Sequence, residues 1–314
     1  MLGTLLVVLL QVAVMVALAP IVSGVTRQAR ARLEGRVGPG VLQPWRDLRK
    51  LVAKRPIHAT GTSVVTRLGP LLLLGSSLVV VALVPLVAAV PLSLVPDDLF
   101  VVVSVLLLGT VALALIGLDA GSAFGGMGSS RHMMIAALVE PTVLMAVYAL
   151  SIPVGSSTLS LIVTDRRDDP ASIASPAGVL AVVALAVVVL AETGRLPVDN
   201  PSTHLELTMV HEAMILETSG RDLAAVEVGS WLRLAALLGL IGNLLLPWGV
   251  ATDLRPASIA LGVVAVAAKV GLLALVLGAA EVAVAKLRLF RVPELLAGSF
   301  LLAYLAVTAS YLVA

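Results

Sequence analysis

Eight apolar runs, each long enough to cross a bilayer, dominate this chain of 314 residues. A transmembrane helix needs about 17–25 predominantly apolar residues. The runs lie near residues 2–25, 68–90, 99–118, 133–152, 178–191, 228–250, 257–280 and 293–314. The fifth run is the shortest, and we expect its helix to begin near Ile173. The runs predict an all-α polytopic membrane protein with about eight transmembrane helices in a single integral membrane domain, 1–314.

The composition limits the chemistry that the chain can carry out. Only 13% of the residues are charged and the mean hydropathy is +1.08, whereas soluble domains contain about a quarter charged residues. Cysteine is absent, so the chain cannot itself hold an iron–sulfur cluster, a thiolate-bound nickel or a cysteine zinc site. His211 and Glu212 begin an H-E-x-x-H pattern, but Ile215 replaces its second histidine. The sequence therefore predicts no metal site.

The basic residues predict the orientation. If the N-terminus is outside, 17 of the 21 Lys and Arg residues fall on the inner side, Arg233 among them, and Lys269 falls within a span. Cytoplasmic loops carry such an excess. Both termini are therefore expected outside, with long ordered cytoplasmic loops at 27–67, 119–132, 192–227 and 281–292, on what we call the basic side. On the opposite side, the charged stretch at 164–172 is expected to be a solvated cluster.

The first basic-side loop contains a turn and a short amphipathic helix. Gly38, Pro39 and Gly40 form the turn, and Pro44 begins a helix with Trp45 on its apolar face. Arginines and lysines lie elsewhere on that helix, which is typical of a helix at the membrane surface. Two roles are open for it: an anchor to lipid headgroups, and a docking surface for a soluble partner.

Several ionisable residues fall within or beside the spans. Glu140 comes eight residues after His132, about 12 Å along a helix, and a carboxyl group at that depth costs about 2.5–3.5 kcal/mol. Lys269 needs a counter-charge, for which Glu140 and Glu192 are candidates. With Asp119 and Glu281 these residues form a set typical of a proton relay.

The stretch after Glu192 combines a polar turn with a predicted helix. Asn200 and Pro201 are suited to a helix N-cap and its first position, and Gly220 to the residue after its end. On this helix Glu206 and Glu217 would share a face, since they are eleven residues apart, and Glu212 would point elsewhere.

Five motifs resemble a known family. "GRVGPGVLQPWRDLRKL" (35–51), "SSRHMMIAALVEP" (129–141) and "ETGRLPVDNP" (192–201) resemble the subunit 1 family of respiratory complex I. "NPSTHLELTMVHEAMILETSGRDLA" (200–224) and "KLRLFRVPELLA" (286–297) resemble its branch in formate hydrogenlyase and hydrogenase-4, the group 4 membrane-bound [NiFe] hydrogenases. The chain departs from many relatives at Thr218, where they have an aromatic residue after the glutamate.

The resemblance implies a non-catalytic membrane subunit of an oxidoreductase complex in the cell (plasma) membrane. Its expected partners are hydrogenase-like large and small subunits on the cytoplasmic face, which hold [NiFe] and iron–sulfur clusters, and antiporter-like membrane subunits. This chain is expected to hold no cofactor and to bind no nucleic acid. The residues expected to organise the loops and dock the redox module are Arg36, Gly38, Pro39, Gln43, Pro44, Asp47, Lys50, Arg131, Arg195, Pro197, Asp199 and Arg291. The expected proton or charge path comprises Asp119, Glu140, Glu192, Glu206, Glu212, Glu217, Lys269 and Glu281.

Three alternatives stay open. A quinone-site membrane subunit of an NADH:quinone oxidoreductase would place a quinone headgroup between the 31–54 segment and the 192–217 loop. A free-standing ion transporter is disfavoured because no internal repeat is visible. A purely structural anchor would have no use for Glu140 and Lys269. The sequence specifies neither the electron donor nor the ion moved or its direction.

Overall fold

The computed structural model describes residues 2–89, 97–199 and 209–313. These residues form eleven α-helices and two short 3-10 helices, at Pro170–Ala174 and Leu289–Arg291. The α-helices are α1 Leu2–Leu33, α2 Gln43–Ala53, α3 Val64–Leu83, α4 Leu99–Asp119, α5 Ala123–Ser151, α6 Leu159–Asp168, α7 Pro176–Glu192, α8 His211–Ile215, α9 Gly220–Leu245, α10 Pro256–Ala283 and α11 Val292–Val313.

Eight of these helices correspond to the predicted spans. Seven are at least 18 residues long and apolar enough to cross a membrane, and α7 is a shorter apolar helix of 17 residues. The predicted fold class is confirmed, and the chain is a multi-pass membrane protein. Several helices extend beyond their apolar runs. α1 continues past residue 25 through Arg27 and Arg30, and α5 begins ten residues before the predicted span, where the Ser122 hydroxyl accepts a hydrogen bond from the Gly125 N–H at 3.1 Å.

α9 is the central helix of the bundle. Every residue from Trp231 to Leu244 is buried, and α9 packs against α1, α3, α7 and α10. α4, α5 and α7 complete the core, and α11 covers α5 and α7. α10 lies at the periphery on α1 and α9, with large apolar side chains such as Leu261 and Leu272 exposed. Such a face suits lipid or another membrane protein.

Two buried amides satisfy the backbone where α3 ends. The Gln11 amide nitrogen donates to the Val81 and Val84 carbonyls at 2.7 and 2.9 Å, and its oxygen accepts from the Val87 N–H at 3.0 Å. The Asn243 amide nitrogen donates to the Pro85 carbonyl at 2.7 Å. Because lipid offers no hydrogen bonds, a non-helical segment within a membrane protein needs such internal partners. Gln11 and Asn243 therefore allow α3 to end within the bundle.

The predicted helix between residues 201 and 220 is wrong in the part that the structure describes. Residues 200–208 lie outside the described residues. Between residue 209 and residue 219, only His211–Ile215 is α-helical. The Thr218 hydroxyl donates to the Ile215 carbonyl at 2.6 Å, and such side-chain bonds compete with helix continuation. Gly220, predicted to follow the helix, instead begins α9 with φ +55°.

The charged stretch at 164–172 is not simply solvated, contrary to the prediction. It overlaps α6, whose residues Leu159 and Ile162 are fully buried. Arg166 is also buried and donates to the Leu244 carbonyl at 3.2 Å. A cation near the last carbonyls of α9 is favourable because they carry partial negative charge. The charges hid this helix from a search for apolar runs.

Candidate functional site

A buried ion pair joins α7 to α9 inside the bundle. The Arg233 Nη1 atom lies 2.7 Å from Glu192 Oε1, and both side chains are at most 5% exposed. Glu192 is the last residue of α7, whereas Arg233 lies 13 residues into α9, about 20 Å from its start. A pair so far from solvent is held by direct contact, because either charge alone would be costly there.

The Thr110 hydroxyl connects this pair to a second carboxyl group. Thr110 Oγ1 lies 3.3 Å from Glu192 Oε1 and 3.4 Å from Glu140 Oε1, and it accepts from Arg233 Nη1 at 2.9 Å. Thr110 and Arg233 Nη2 both donate to the Leu106 carbonyl. Four side chains from α4, α5, α7 and α9 thus meet at one point. We call Thr110, Glu140, Glu192 and Arg233 the buried cluster.

Two polar atoms of the buried cluster have unused hydrogen-bonding capacity. Within the described part of the chain, neither Glu140 Oε2 nor Arg233 Nε has a hydrogen-bond partner. The cluster contains one permanent cation and two carboxylic acids, so it is electroneutral when it holds a single proton. Such an arrangement can hold one proton and move it between its two carboxyl groups without a change in net charge.

Arg233 was predicted to lie on the basic side, and this prediction is wrong. The predicted sixth span began at Val228, whereas α9 begins at Gly220 and so carries Arg233 to mid-helix. One signal could have identified it: Arg233 is the only charged residue between Glu227 and Asp253. An isolated charge in such a run is a functional candidate.

Lys269 lies apart from the buried cluster. Its ammonium donates to Asn243 Oδ1 at 2.8 Å, so its partner is a neutral amide. Neither Glu140 nor Glu192, the two candidates from the sequence, fills that role, because the cation beside Glu192 is Arg233.

A cavity of about 600 Å³ opens between α1, α8, α9, α10 and the residue 193–195 loop. Trp231 and Leu234 of α9 also line it, and so does His211, which lies close enough to Arg233 for their charges to interact. Ionisable side chains in its lining are Arg27, Arg30, Glu34, Arg36, Arg195, His211, Glu212, Glu227 and Glu281. Glu227 was not among the predicted site residues, because its position two turns after Gly220 follows only from the start of α9.

A chain of ion pairs crosses the cavity wall. Arg195 Nη1 lies 3.1 Å from Glu281 Oε1, and Arg30 Nη1 lies 3.9 Å from Glu281 Oε2. Arg30 also bonds Glu34 at 2.9 Å, which in turn lies 3.6 Å from Arg36. The Arg30 hydrogen bond lowers the pKa of the Glu34 carboxyl below its ordinary value. These pairs join α1 to α10 and to the loop after α7.

Asp199 holds the start of α8 in place. Its Oδ2 atom accepts from the backbone N–H groups of Val210 and His211 at 3.2 and 3.1 Å, and Oδ1 lies 3.5 Å from Lys286 Nζ. Beside it, the Pro197 carbonyl accepts from the Leu287 N–H at 2.9 Å. Two loops of the basic side are thereby joined.

Two histidines lie near this loop. His211 is half-buried in the cavity lining, and burial lowers its pKa below the usual value. His132, in α5, is buried, and within the described residues its Nε2 atom has no hydrogen-bond partner. Between them, the Arg131 guanidinium donates to the Met209 carbonyl at 3.1 Å, which fixes α5 against the segment before α8.

The turn before α2 is clamped by Gln28, which the sequence analysis did not single out. Its amide accepts from the Gly40 N–H at 2.8 Å and donates to the Val37 carbonyl at 2.9 Å. Gly38 and Gly40 have φ of +78° and +89°, which favour glycine. Their spacing was therefore correctly read as a turn.

Most residues of helix α2 are exposed or only partly buried. Pro44 is its only buried residue. Gln43 donates to Asp47 at 2.9 Å, and Asp47 lies 3.9 Å from Lys50, so these three side chains stabilise one face. Arg46 and Arg49 project from the helix with Lys50.

Three more predicted site residues, Asp119, Glu217 and Arg291, belong neither to the buried cluster nor to the cavity lining. Asp119 accepts from the backbone N–H groups of Ser63 and Thr66 at 2.9 and 3.1 Å and from the Thr66 hydroxyl, so it caps α3. Glu217 is exposed after α8, and Arg291 is exposed before α11. Glu206 lies outside the described residues.

A family model described as NADH dehydrogenase matches residues 5–312 of this sequence. The chain belongs to this family. The resemblance to the complex I subunit 1 family, inferred from the loop motifs, is thereby confirmed.

Two relatives support that assignment, and one solved structure shares the fold. The chain is 33% identical to formate hydrogenlyase subunit 4 of Escherichia coli K12 over 299 residues, covering 95% of this chain and 96% of the relative. It is 31% identical to hydrogenase-4 component C of the same organism, covering 95% and 93%. A chain of an archaeal respiratory membrane complex, the membrane-bound sulfane sulfur reductase, superposes with a TM-score of 0.80, at 20% identity and 98% and 99% coverage. At that identity, the last comparison shows the fold alone.

Proposed function

We propose that this chain is the membrane anchor and coupling subunit of a membrane-bound [NiFe]-hydrogenase complex of the formate hydrogenlyase or hydrogenase-4 type. The observation that carries the proposal is the buried cluster, in which Arg233, Glu192, Thr110 and Glu140 meet beside a charged cavity. The near full-length similarity to formate hydrogenlyase subunit 4 and hydrogenase-4 component C supports the type of complex.

Proton transfer in the buried cluster requires no change in its net charge. With Glu192 paired to Arg233, the single proton of the neutral cluster resides on Glu140. The Thr110 hydroxyl, within 3.4 Å of both carboxyl groups, can pass a proton from one to the other while Arg233 compensates the remaining carboxylate. Glu140 and Glu192 are therefore the central members of the proposed path.

The charged cavity connects this cluster to the redox module. Glu212 and Glu227 in its lining supply protonatable groups between solvent and Trp231. Glu281, which contacts Arg30 and Arg195, shapes the electrostatic potential of the cavity wall. Glu206 keeps its proposed place in the path from the sequence alone, whereas the exposed Glu217 is better suited to the docking surface.

A soluble redox module would dock on the basic side. α2 presents Arg46, Arg49 and Lys50, and the loop organised by Asp199 lines the cavity together with the turn at Gly38. Hydrogenase-like large and small subunits would supply the [NiFe] site and iron–sulfur clusters, since this chain has no cysteine. Antiporter-like membrane subunits would receive the proton movement.

The cavity also supports a second candidate function, a quinone site. Its volume of about 600 Å³ lies within the roughly 300–1,000 Å³ typical of small-molecule sites. Such sites are mostly apolar, however, and nine ionisable side chains line this one. The lining is better suited to water and protons than to a quinone.

Affinity purification from the native host in mild detergent tests the proposal. Co-purifying subunits are identified by mass spectrometry and nickel is measured by plasma emission, with an untagged strain as the control. Stoichiometric nickel together with a hydrogenase-like large subunit is expected. A nickel-free complex with flavin and NADH-oxidising subunits would favour the quinone site, and a chain purified alone would overturn both.

A further inference from the structure

Lys269 occupies a position from which its charge cannot reach water. It lies 13 residues after Pro256 and 14 before Ala283, so about 20 Å of α10 separates it from either end. A lysine side chain extends only about 6 Å, too short to bring its ammonium to an interface from this depth.

The partner of Lys269 among the described residues does not neutralise it. The ammonium has three donors, and one of them is used on Asn243 Oδ1. The Asn243 amide nitrogen already donates to the Pro85 and Leu86 carbonyls at 2.7 and 3.0 Å, which turns its oxygen toward Lys269. Among the residues that the structure describes, no carboxylate lies within 4 Å of Lys269, whereas Arg30, Arg195 and Arg233 each contact one.

Lys269 also borders a surface that the described residues leave uncovered. Its stem lies over Gly242 of α9, and the side chain is only partly buried. One turn further along α10, Leu272 is 53% exposed, and Val276 follows it at 56%. The two remaining donors of the ammonium are therefore next to whatever packs on α10.

We propose that Lys269 is the docking point for a transmembrane helix of another membrane subunit, which carries an Asp or Glu at the depth of Lys269 and packs on the exposed face of α10. Charge complementarity selects this occupant. A phospholipid headgroup is confined to the interface, about 15 Å away, and a second copy of this chain would bring two lysines together. The inference rests on the proposed membership in a multi-subunit membrane complex, but it does not depend on the redox chemistry of that complex.

Zero-length cross-linking of the native complex tests this pairing. In membranes, dicyclohexylcarbodiimide converts a carboxylic acid to an O-acylisourea, the neutral Lys269 amine displaces it, and dicyclohexylurea leaves as the amide bond forms. Mass spectrometry should find the Lys269 peptide joined to an acidic residue in a membrane helix of another subunit. The cross-link should be absent in Lys269→Gln. A cross-link to a carboxylate of this same chain, Glu206 included, would overturn the proposal.

Subunit retention provides a second readout. After detergent extraction, the Lys269→Gln complex should contain at least about tenfold less of one membrane subunit than wild type. Lys269→Arg and the control Leu301→Met, which alters an exposed leucine of α11, should retain it. If Lys269→Gln retains all membrane subunits and the wild-type complex gives no cross-link at Lys269, the proposal is overturned. Absence of a hydrogenase-like large subunit from an otherwise cross-linked complex would instead contradict the proposed function and leave the pairing intact.

Discussion

Arg233 Nη1 lies 2.7 Å from Glu192 Oε1, within a stretch of α9 in which every residue from Trp231 to Leu244 is buried. The pair joins residues that are 41 positions apart in sequence and fixes the end of α7 against the centre of α9. The pair stabilises the packing of α7 on α9. Because it lies beside Thr110 and Glu140, its Arg233 also supplies the positive charge that offsets a carboxylate of the buried cluster.

Arg233→Met should destabilise the chain strongly. The substitution leaves the Glu192 carboxylate buried without its cation, which typically costs about 3–5 kcal/mol. The double variant Glu192→Gln with Arg233→Met should recover most of the loss, because no unpaired charge stays behind. Denaturant unfolding in detergent micelles measures both. Equal stability of wild type and the single variant would contradict the importance of this pair.

Asp119→Asn should lower thermal stability and leave proton coupling unchanged. The Asp119 carboxylate accepts the free backbone N–H groups at the start of α3, and an amide is a weaker acceptor. The melting temperature and the proton movement per intact complex are measured on the same preparation. Loss of coupling at an unchanged melting temperature would place Asp119 in the proton path, as the sequence analysis expected.

Stability should decrease as the pH falls below the usual pKa of histidine, about 6.5. Burial lowers the pKa of His211 in the folded chain, so only the unfolded chain takes up its proton in that range. The stabilisation is therefore present above about pH 6.5 and is lost below it. The charged and titratable groups that act on His211 are Glu227, Asp199, Arg195, Arg233 and His132.

The His211 effect is measured by thermal unfolding at about pH 7.5 and about pH 5.5, on either side of the reference pKa. In His211→Asn the difference between the two melting temperatures should be smaller than in wild type. An equal difference in both chains would assign the pH dependence to other groups.

Two glycines of α10 should respond oppositely to the same substitution. A Cβ at Gly278 would lie 2.8 Å from the Thr26 carbonyl oxygen of α1, whereas nothing lies within 4 Å of one at Gly271. Gly278→Ala should cost about 1–3 kcal/mol by forcing α1 and α10 apart. Gly271→Ala should be neutral or stabilising by up to about 1 kcal/mol. Comparable unfolding free energies for the two variants would contradict the close α1–α10 packing.

Helices were predictable from this sequence to the extent that apolar runs define them. Each of the eight predicted runs contains an α-helix, and seven of these helices are long enough to cross a bilayer. The turn before α2 followed from Gly38 and Gly40. The ends of the helices were predicted less accurately, since α9 begins eight residues before its apolar run. Helix α6 was not predicted, because its charged residues interrupt the apolar pattern.

Side-chain partners were harder to predict than spans. Glu140 and Glu192 were recognised from the cost of burying charge, but their shared neighbours Thr110 and Arg233 are separated from Glu192 by 82 and 41 positions. Lys269 was expected to pair with a carboxylate and instead contacts Asn243. Such contacts depend on helix rotation and depth, and an error of one turn in a helix boundary moves a side chain by about 5 Å.

Proton movement in membrane vesicles tests the role of the buried cluster most directly. Vesicles containing the intact complex are supplied with the electron donor, and proton movement is measured alongside electron transfer for wild type, Glu140→Gln and the control Glu294→Gln, which alters an exposed glutamate of α11. Glu140→Gln should assemble but reduce proton movement to background, while Glu294→Gln matches wild type. Wild-type proton movement in an assembled Glu140→Gln complex would show that the buried cluster does not carry the proton.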